Sequence, residues 1–229
     1  MIAAQATANA LIQGRRIARS GGASRSAAAR LALLACLAAA SLPMAALAQP
    51  TELAGTKVEQ SVQLAGTPLQ LNGAGIRTRF FIKVYTAALY TPTKVDTAEA
   101  VVSAPGPKRI LITMLRDIDG NDLGKLFTQG MERNTPREDM SRSISGIIRM
   151  GELFAKRKRL KAGDTFSVDW VPGVGAQVLL NGHAEIEAIK EPEFFKALLS
   201  IWLGKVPADE DLKAALLGRT VDKRPSSQP

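Results

Sequence analysis

The period of the hydrophobic pattern changes along the chain, and the order of the changes limits what it can fold into. Short apolar or alternating runs, separated by Gly, Pro and Asn, predict strands at about residues 51–57, 60–72, 76–90 and 109–115. Helical spacing then predicts two consecutive helices, the first with Leu123, Phe127 and Met131 and the second with Met140, Ile144, Ile147, Ile148, Met150 and Phe154. The first half is therefore predicted to be mostly antiparallel sheet, followed by a helical pair.

The strand pattern returns after the helical pair. Strands are predicted at about 165–171, 176–181 and 184–189. An apolar helix opens at Pro192, and a short helix follows at about 209–217. Phe194, Phe195 and Trp202 recur at helical spacing and are predicted to pack in the core. This order favours an α+β domain in which one large antiparallel sheet is covered by a helical layer.

Two local motifs predict element boundaries. Thr135 is expected to cap the second helix, with Pro136 at its first position and Glu138 at its third. Asn181-Gly182 lies between two apolar runs and predicts a type I′ hairpin turn, because both residue types adopt positive φ angles.

The first 48 residues resemble a secretory signal and are predicted to be removed. Arginines precede an apolar run at 31–42, and Ala46-Leu47-Ala48 follows it as a small-residue cleavage site. Cleavage before Gln49 would leave a domain at 49–218 and a flexible tail at 219–229. The run is too short for a membrane span, so no stable membrane insertion is expected after cleavage. The predicted location is the periplasm or the medium.

Removal of the leader changes the charge argument. The formal net charge of +9 falls by five leader arginines to +4, and an exported chain would meet little nucleic acid. Cys36 lies in the leader, so the mature chain has no cysteine for a disulfide or a metal site. His183, the single histidine, is predicted to be a surface residue beside the turn. The chain shows no cofactor motif and no metal motif, and its oligomeric state stays open.

Residues 75–90 combine a strand pattern with cations and tyrosine. If one uninterrupted strand runs through them, alternation places Arg77, Arg79, Phe81, Lys83, Tyr85 and Leu89 on one face. The other face, with Thr78, Phe80, Ile82, Val84, Thr86, Ala88 and Tyr90, would then lie on the core. A row of donors beside an aromatic ring suits a carboxylate, phenolate or enolate oxygen. The alternative is that these cations line a solvated sheet face.

Three segments carry a resemblance to a known family. They are Gly75 to Tyr90, Phe127 to Asn134, and Ile201 to Lys213. In this order and spacing the chain resembles the bacterial branch of the chalcone isomerase-like proteins, over roughly residues 52–218. The resemblance implies the open-faced β-sandwich of chalcone isomerase, with an apolar cleft between sheet and helices. The family includes true isomerases, fatty-acid binders and catalytically silent relatives, so fold alone leaves activity open.

The resemblance also implies which residues to compare with the plant enzymes, which use arginine, threonine, tyrosine and asparagine. The arginine corresponds to Arg77 or Arg79, and the asparagine to Asn134. The threonine is replaced by Tyr85, which keeps a hydroxyl group at a greater reach. The tyrosine is replaced by Phe127, which has none. Anion binding is therefore expected to survive better than catalysis.

Two functional hypotheses follow. In the first, the exported protein is non-catalytic and binds a fatty-acid-like or other lipophilic acid in the cleft. Its ligand-binding residues would be Arg77, Arg79, Lys83, Tyr85, Phe127 and Asn134. In the alternative, it is an intramolecular lyase that closes a flavanone ring by phenolate attack on an enone. Arg77, Tyr85 and Asn134 would then be catalytic. Neither hypothesis needs a cofactor.

Overall fold

A seven-stranded antiparallel sheet forms the centre of the molecule. The computed structural model describes residues 50–219, and within them the strands are β1 (Thr51–Leu53), β2 (Thr56–Val58), β3 (Ser61–Leu64), β4 (Thr67–Arg79), β5 (Ile82–Thr91), β6 (Lys108–Met114), β7 (Ile118–Asp119), β8 (Arg159–Leu160), β9 (Thr165–Val171), β10 (Gly175–Leu180) and β11 (His183–Ala184). The large sheet has the order β11-β10-β9-β6-β5-β4-β3, while β1 pairs with β2 and β7 with β8. The predicted α+β class is confirmed.

Five helices accompany the strands in this part of the chain. They are α1 (Ala98–Ser103), α2 (Gly120–Asn134), α3 (Arg137–Arg157), α4 (Pro192–Leu203) and α5 (Glu210–Leu216). Helices α2, α3 and α4 pack on one another, and α5 packs on β4. Within residues 50–219 no helix is both long and apolar enough to span a bilayer.

Both faces of the central strands are covered. Tyr85, Ala87 and Leu89 of β5 belong to the main core, which includes the buried side chains of α2, α3 and α4. Ala88 and Tyr90 point to the opposite face, where they join a smaller core with residues of β2, β3 and β4. This distribution gives the sheet one helix-covered face and one face covered by strands. Phe194, Phe195 and Trp202 are buried, as predicted.

The prediction of one uninterrupted strand through residues 76–90 is wrong. Strand β4 ends at Arg79, Phe80 and Phe81 form a turn with φ angles of 47° and 65°, and β5 begins at Ile82. The chain reverses there, so Arg77 pairs with Tyr85 across the two strands. The predicted faces are wrong for the same reason. Tyr85 lies in the main core rather than on the outer face.

Two other strand predictions are wrong for a similar reason. The runs at 51–57 and 60–72, each predicted as one strand, are divided by two-residue turns at Ala54-Gly55 and Ala65-Gly66. Helix α1 lies where no helix was predicted.

Other boundaries show smaller differences. Thr135 is the C-cap of α2, and Pro136 rather than Thr135 is the N-cap of α3, so this helix begins one residue later than predicted. Asn181 and Gly182 have φ angles of 51° and 80°, which confirms the predicted turn, and His183 is exposed beside it. The strand predicted at 184–189 is reduced to β11 and an isolated bridge at Ile189.

The predicted signal segment at 1–48 lies outside the described residues, and so does the predicted tail beyond Arg219. Arg219 itself is the last described residue. Its Nη2 donates a hydrogen bond of 2.8 Å to the carbonyl oxygen of Asp96.

Two glycines allow α5 to lie directly on β4. A Cβ atom at Gly75 would be 2.8 Å from the Cβ of Ala215 and 3.0 Å from a methyl carbon of Leu212. A Cβ atom at Gly73 would collide with the carbonyl oxygens of Ala215 and Leu216. Backbone atoms cannot rotate away from such a clash, so the contact requires glycine.

We expect Gly73→Ala to lower the free energy of unfolding by about 3 kcal/mol, because the added methyl group must push α5 away from the sheet. The control is Gly151→Ala in α3, where nothing lies within 4 Å of the added Cβ atom. That variant should be more stable by about 0.5–1 kcal/mol. Urea unfolding of both variants measures the difference, and equal effects would contradict the close approach.

Candidate functional site

The predicted site residues are divided between several places, and the first is a buried polar cluster. It consists of Arg77, Tyr85, Trp202 and Asp209, here called the Arg77 cluster. Trp202 Nε1 donates a hydrogen bond of 2.9 Å to Tyr85 Oη. Arg77 Nη1 donates to Asp209 Oδ2 at 3.2 Å. The cluster joins β4, β5, α4 and the residue that precedes α5.

Asp209 already balances the charge of Arg77. Its Oδ2 also accepts a hydrogen bond from the backbone N–H of Thr78 at 3.2 Å, and its Oδ1 accepts one from Leu212 N at 3.0 Å as the N-cap of α5. The side chains of Arg77 and Asp209 are only 22% and 14% exposed. An acidic ligand at Arg77 would therefore meet a fixed carboxylate. Sequence analysis did not predict this pairing, because the two residues are 132 positions apart.

Burial raises the pKa of Tyr85 to about 12, although the hydrogen bond from Trp202 and the charge of Arg77 both act in the opposite direction. The hydroxyl group thus stays neutral at physiological pH. A neutral phenol is a hydrogen-bond donor to a developing oxyanion, as the lyase hypothesis requires. In this structure the oxygen accepts the hydrogen bond from Trp202, which leaves its own hydrogen available, but the side chain is buried in the main core.

Arg79 and Lys83 do not join this cluster. Both are exposed and flank the turn at Phe80 and Phe81. The guanidinium carbon of Arg79 lies 5.4 Å from the centroid of the Phe80 ring.

Phe127 lies in an aromatic group between the sheet and the helices. Its ring centroid is 5.6 Å from that of Phe154, 5.5 Å from that of Phe166 and 5.6 Å from that of Trp202. All four rings are buried. They occupy space in the layer where the sequence predicted an apolar cleft.

Asn134 holds the loop after α4. Its Nδ2 donates hydrogen bonds of 2.9 Å to the carbonyl oxygens of Gly130 and Val206, and its Oδ1 accepts one of 2.7 Å from Val206 N. The same loop leads to Asp209. The side chain of Asn134 therefore fixes the loop, and its hydrogen bonds go to Gly130 and Val206 rather than to the Arg77 cluster.

A cavity of about 790 Å³ lies among the helix ends, and is here called the helix-end cavity. It is bordered by α1, the junction of α2 and α3, the last turns of α4, and the end of α5. Apolar side chains in its lining are Ala98, Val102, Pro136, Leu199, Leu203 and Leu217. Its volume falls within the range of small-molecule sites.

The helix-end cavity is also strongly basic. Its lining includes one carboxylate, Glu99, and five cations, which are Arg133, Lys196, Lys205, Lys213 and Arg219. Lys196 forms a salt bridge of 3.2 Å with Asp139, whereas Lys213 Nζ donates a hydrogen bond of 2.7 Å to the carbonyl oxygen of Gly204. Arg133 and Lys205 form no salt bridge with any residue in 50–219.

Sequence reasoning missed this cavity. Its cations are separated by up to 86 positions along the chain and form no motif. Asn134 is the single predicted site residue in its lining. Within the described residues, no group of three or more His, Cys, Asp or Glu side chains is arranged to hold a metal ion.

Comparison with known proteins identifies the family. The family model described as chalcone isomerase-like matches residues 50–218. The chain belongs to the chalcone isomerase-like family. Its fold is similar to that in the crystal structure of a fatty-acid binding protein from Arabidopsis thaliana, at 13% identity and a TM-score of 0.57. This likeness covers 74% of the present chain and 96% of the Arabidopsis chain. No curated protein sequence matches significantly.

The family assignment confirms the predicted open-faced β-sandwich. It leaves the roles of Arg77, Arg79, Lys83, Tyr85, Phe127 and Asn134 as predictions, because neither comparison names site residues.

Both tyrosines of the chain should resist ionisation in the folded protein. Burial raises the pKa of Tyr85 and that of Tyr90 from 10.0 to about 12, and for Tyr90 the nearby charge of Glu59 adds to the effect. The unfolded chain releases these protons near pH 10. The stability associated with each tyrosine is thus complete below pH 10 and is lost as the pH rises to about 12, at up to about 1.4 kcal/mol per pH unit.

Ultraviolet absorbance of tyrosinate measures the ionisation of the two tyrosines directly. The folded protein should show little tyrosinate at pH 10.5 to 11, and addition of urea should release the signal of two tyrosines. Tyr85→Phe should halve the released signal. A folded protein that is half ionised near pH 10 would contradict the burial of both hydroxyl groups.

Proposed function

We propose that this protein is a non-catalytic binder of a fatty-acid-like or other lipophilic acid, and that the acid occupies the helix-end cavity. The observation that carries the proposal is the composition of that cavity, which combines six apolar side chains with five cations and one carboxylate. An apolar lining accepts a hydrocarbon body, and a cationic rim favours a carboxylate head. The fold likeness to a fatty-acid binding protein supports the same ligand class.

Arg133 and Lys205 are the proposed partners of the carboxylate. Both are exposed at the rim and neither is neutralised by a described carboxylate, so a ligand does not have to displace an existing partner. Arg77 is the weaker candidate, since Asp209 already holds it. The hydroxyl groups of Thr135 and Ser200 also lie in the lining, but Ser200 Oγ donates to the carbonyl oxygen of Ala197 at 2.6 Å and is hydrogen-bonded to Thr135 Oγ1 at 3.3 Å, so neither is assigned to the ligand.

The proposal contains no chemical step. Phe127 has no hydroxyl group, Asn134 is bound to the backbone of Val206, and Tyr85 is buried against Trp202. These features support a binder rather than the lyase alternative. When the protein is mixed with a hydroxylated chalcone, the chalcone absorbance band should decay at the same rate as in buffer alone. A faster decay would support the lyase alternative.

We expect Arg133→Gln/Lys205→Gln to weaken binding of palmitate roughly tenfold, because each exposed ion pair with the carboxylate contributes about 0.2–1 kcal/mol and about 1.4 kcal/mol corresponds to a factor of ten. Displacement of a dansyl-labelled fatty acid measures the affinity. Lys125→Gln/Lys161→Gln makes the same charge change at exposed positions outside the cavity lining and should have little effect. Hexadecanol, which lacks the carboxylate, should bind both double variants equally.

The variant Arg77→Gln tests whether the acid binds at the helix-end cavity or at the Arg77 cluster. Loss of palmitate binding in Arg77→Gln, with no change in the cavity variant, would place the acid at the Arg77 cluster instead. Absence of palmitate binding by the wild-type protein would contradict the proposed function itself.

We also propose that the mature protein is exported to the periplasm or the medium. The support is the arginine-rich segment, apolar run and small-residue site in residues 1–48. The intact mass of protein recovered from a secreting host should correspond to a chain that starts at Gln49. A full-length mass in the cytoplasmic fraction would contradict export.

A further inference from the structure

The turn between β4 and β5 is built from residues that its backbone disfavours. Phe80 and Phe81 both have positive φ angles, as a two-residue type I′ turn requires. Asparagine and glycine suit such positions, whereas a bulky side chain there is strained. Burial does not compensate for this strain, because Phe80 is 80% exposed and Phe81 is fully exposed.

The other two-residue turns of this protein have different residues at these positions. Three other two-residue hairpin turns lie in the described part of the chain, at Ala54-Gly55, Ala65-Gly66 and Asn181-Gly182. Each has glycine at the second position. The Phe80-Phe81 turn departs from this pattern and gains no core contact in return. Unfavourable local choices without a packing benefit are typical of functional sites.

Cations surround the two phenylalanines. Arg79 and Lys83 lie on either side of the turn and are exposed. Arg116, which is also exposed, follows Leu115, whose backbone N–H donates to the carbonyl oxygen of Val84 at 3.0 Å. It therefore extends from the neighbouring strand toward the same end of the sheet. None of these three cations forms a salt bridge with a residue in 50–219.

We propose that this hairpin tip, Arg79 to Lys83 together with Arg116, binds to the surface of an anionic lipid bilayer. Aromatic side chains lie favourably at the level of lipid headgroups, and nearby cations are attracted to acidic lipids. The tip enters the interface only, which is consistent with the expectation that the mature chain has no stable membrane insertion. Neither the family match nor the proposed ligand assigns a role to the tip.

Size and shape favour a bilayer over a protein partner. Two phenylalanines bury roughly 300–500 Å² in total, which is less than the approximately 800 Å² per partner of a stable protein interface. The tip is a projection formed by two adjacent residues, so a second protein would need a matching pocket for it. A fluid bilayer needs no matching shape.

The decisive variant is Phe80→Asn/Phe81→Gly, which restores the favoured turn sequence. It should melt at or above the temperature of the wild-type protein, since it relieves the strained backbone. Sedimentation with vesicles of phosphatidylcholine and phosphatidylglycerol should show binding of the wild type, and at least tenfold weaker binding of this variant. Ile144→Ser/Ile148→Ser on α3 is the matched control, because these side chains are 51% and 55% exposed and should not affect binding.

A second variant tests the cations. Arg79→Gln/Lys83→Gln/Arg116→Gln should bind roughly a hundredfold more weakly, or about fivefold for each cation. Wild-type binding should also fall at high salt and be weak on vesicles of phosphatidylcholine alone. Free phosphate at millimolar concentration should not compete, which separates a lipid surface from a simple anion.

Several results would overturn the proposal. One is equal vesicle binding by the wild type and the Asn-Gly variant, and another is equal binding to neutral and anionic vesicles. A dimer that the Asn-Gly variant dissociates in analytical ultracentrifugation would assign the tip to a second copy of the chain. A lower melting temperature of that variant would show that the phenylalanines stabilise the fold instead.

Discussion

The carboxylate of Asp209 connects the last helix to the centre of the sheet. It accepts a hydrogen bond from Leu212 N at the start of α5, and it accepts hydrogen bonds from Arg77 and from Thr78 N on β4. Because Arg77 and Asp209 are both mostly buried, removal of either charge would leave the other without compensation. This one carboxylate therefore fixes α5 against the sheet and holds Arg77 beside Tyr85. It also neutralises the charge of Arg77, which an acidic ligand would otherwise use.

The proposed binding function lies away from this cluster, at the ends of helices. Aromatic rings of Phe127, Phe154, Phe166 and Trp202 fill space between sheet and helices with centroid separations of 5.1–5.6 Å. The helix-end cavity, which is both basic and apolar, lies instead between residues of α1 and the ends of α2, α4 and α5. A rigid sheet with loops and helix ends around it is a common arrangement for binding sites. The proposed anion site therefore lies at a different location from the Arg77 cluster.

At the tip of the β4–β5 hairpin, the backbone preference of the turn residues conflicts with the pairing of the two strands. The long ladder between these strands holds the turn in place, so the chain tolerates Phe80 and Phe81 where glycine is favoured. The strain is confined to an exposed turn, and the core on either face of β5 does not depend on it. The projecting apolar pair lies beside cations that form no salt bridge with a residue in 50–219, and this arrangement is a property of the tertiary structure, because Arg116 comes from a different strand end.

The sequence by itself determined the α+β class, the change from strands to a helical pair and back to strands and helices, the Asn181-Gly182 turn and the family. These follow from local periodicity, from residues with special backbone preferences, and from motifs in the right order. It did not resolve the hairpins at 51–58 and 61–79 or predict α1. It did not reveal the reversal at Phe80 and Phe81, because the turn carries strand-forming residues. Nor did it reveal the Arg77–Asp209 pair or the cations of the helix-end cavity. Such groups meet only when distant segments pack together, and charge neutralisation depends on distances in space rather than on spacing along the chain.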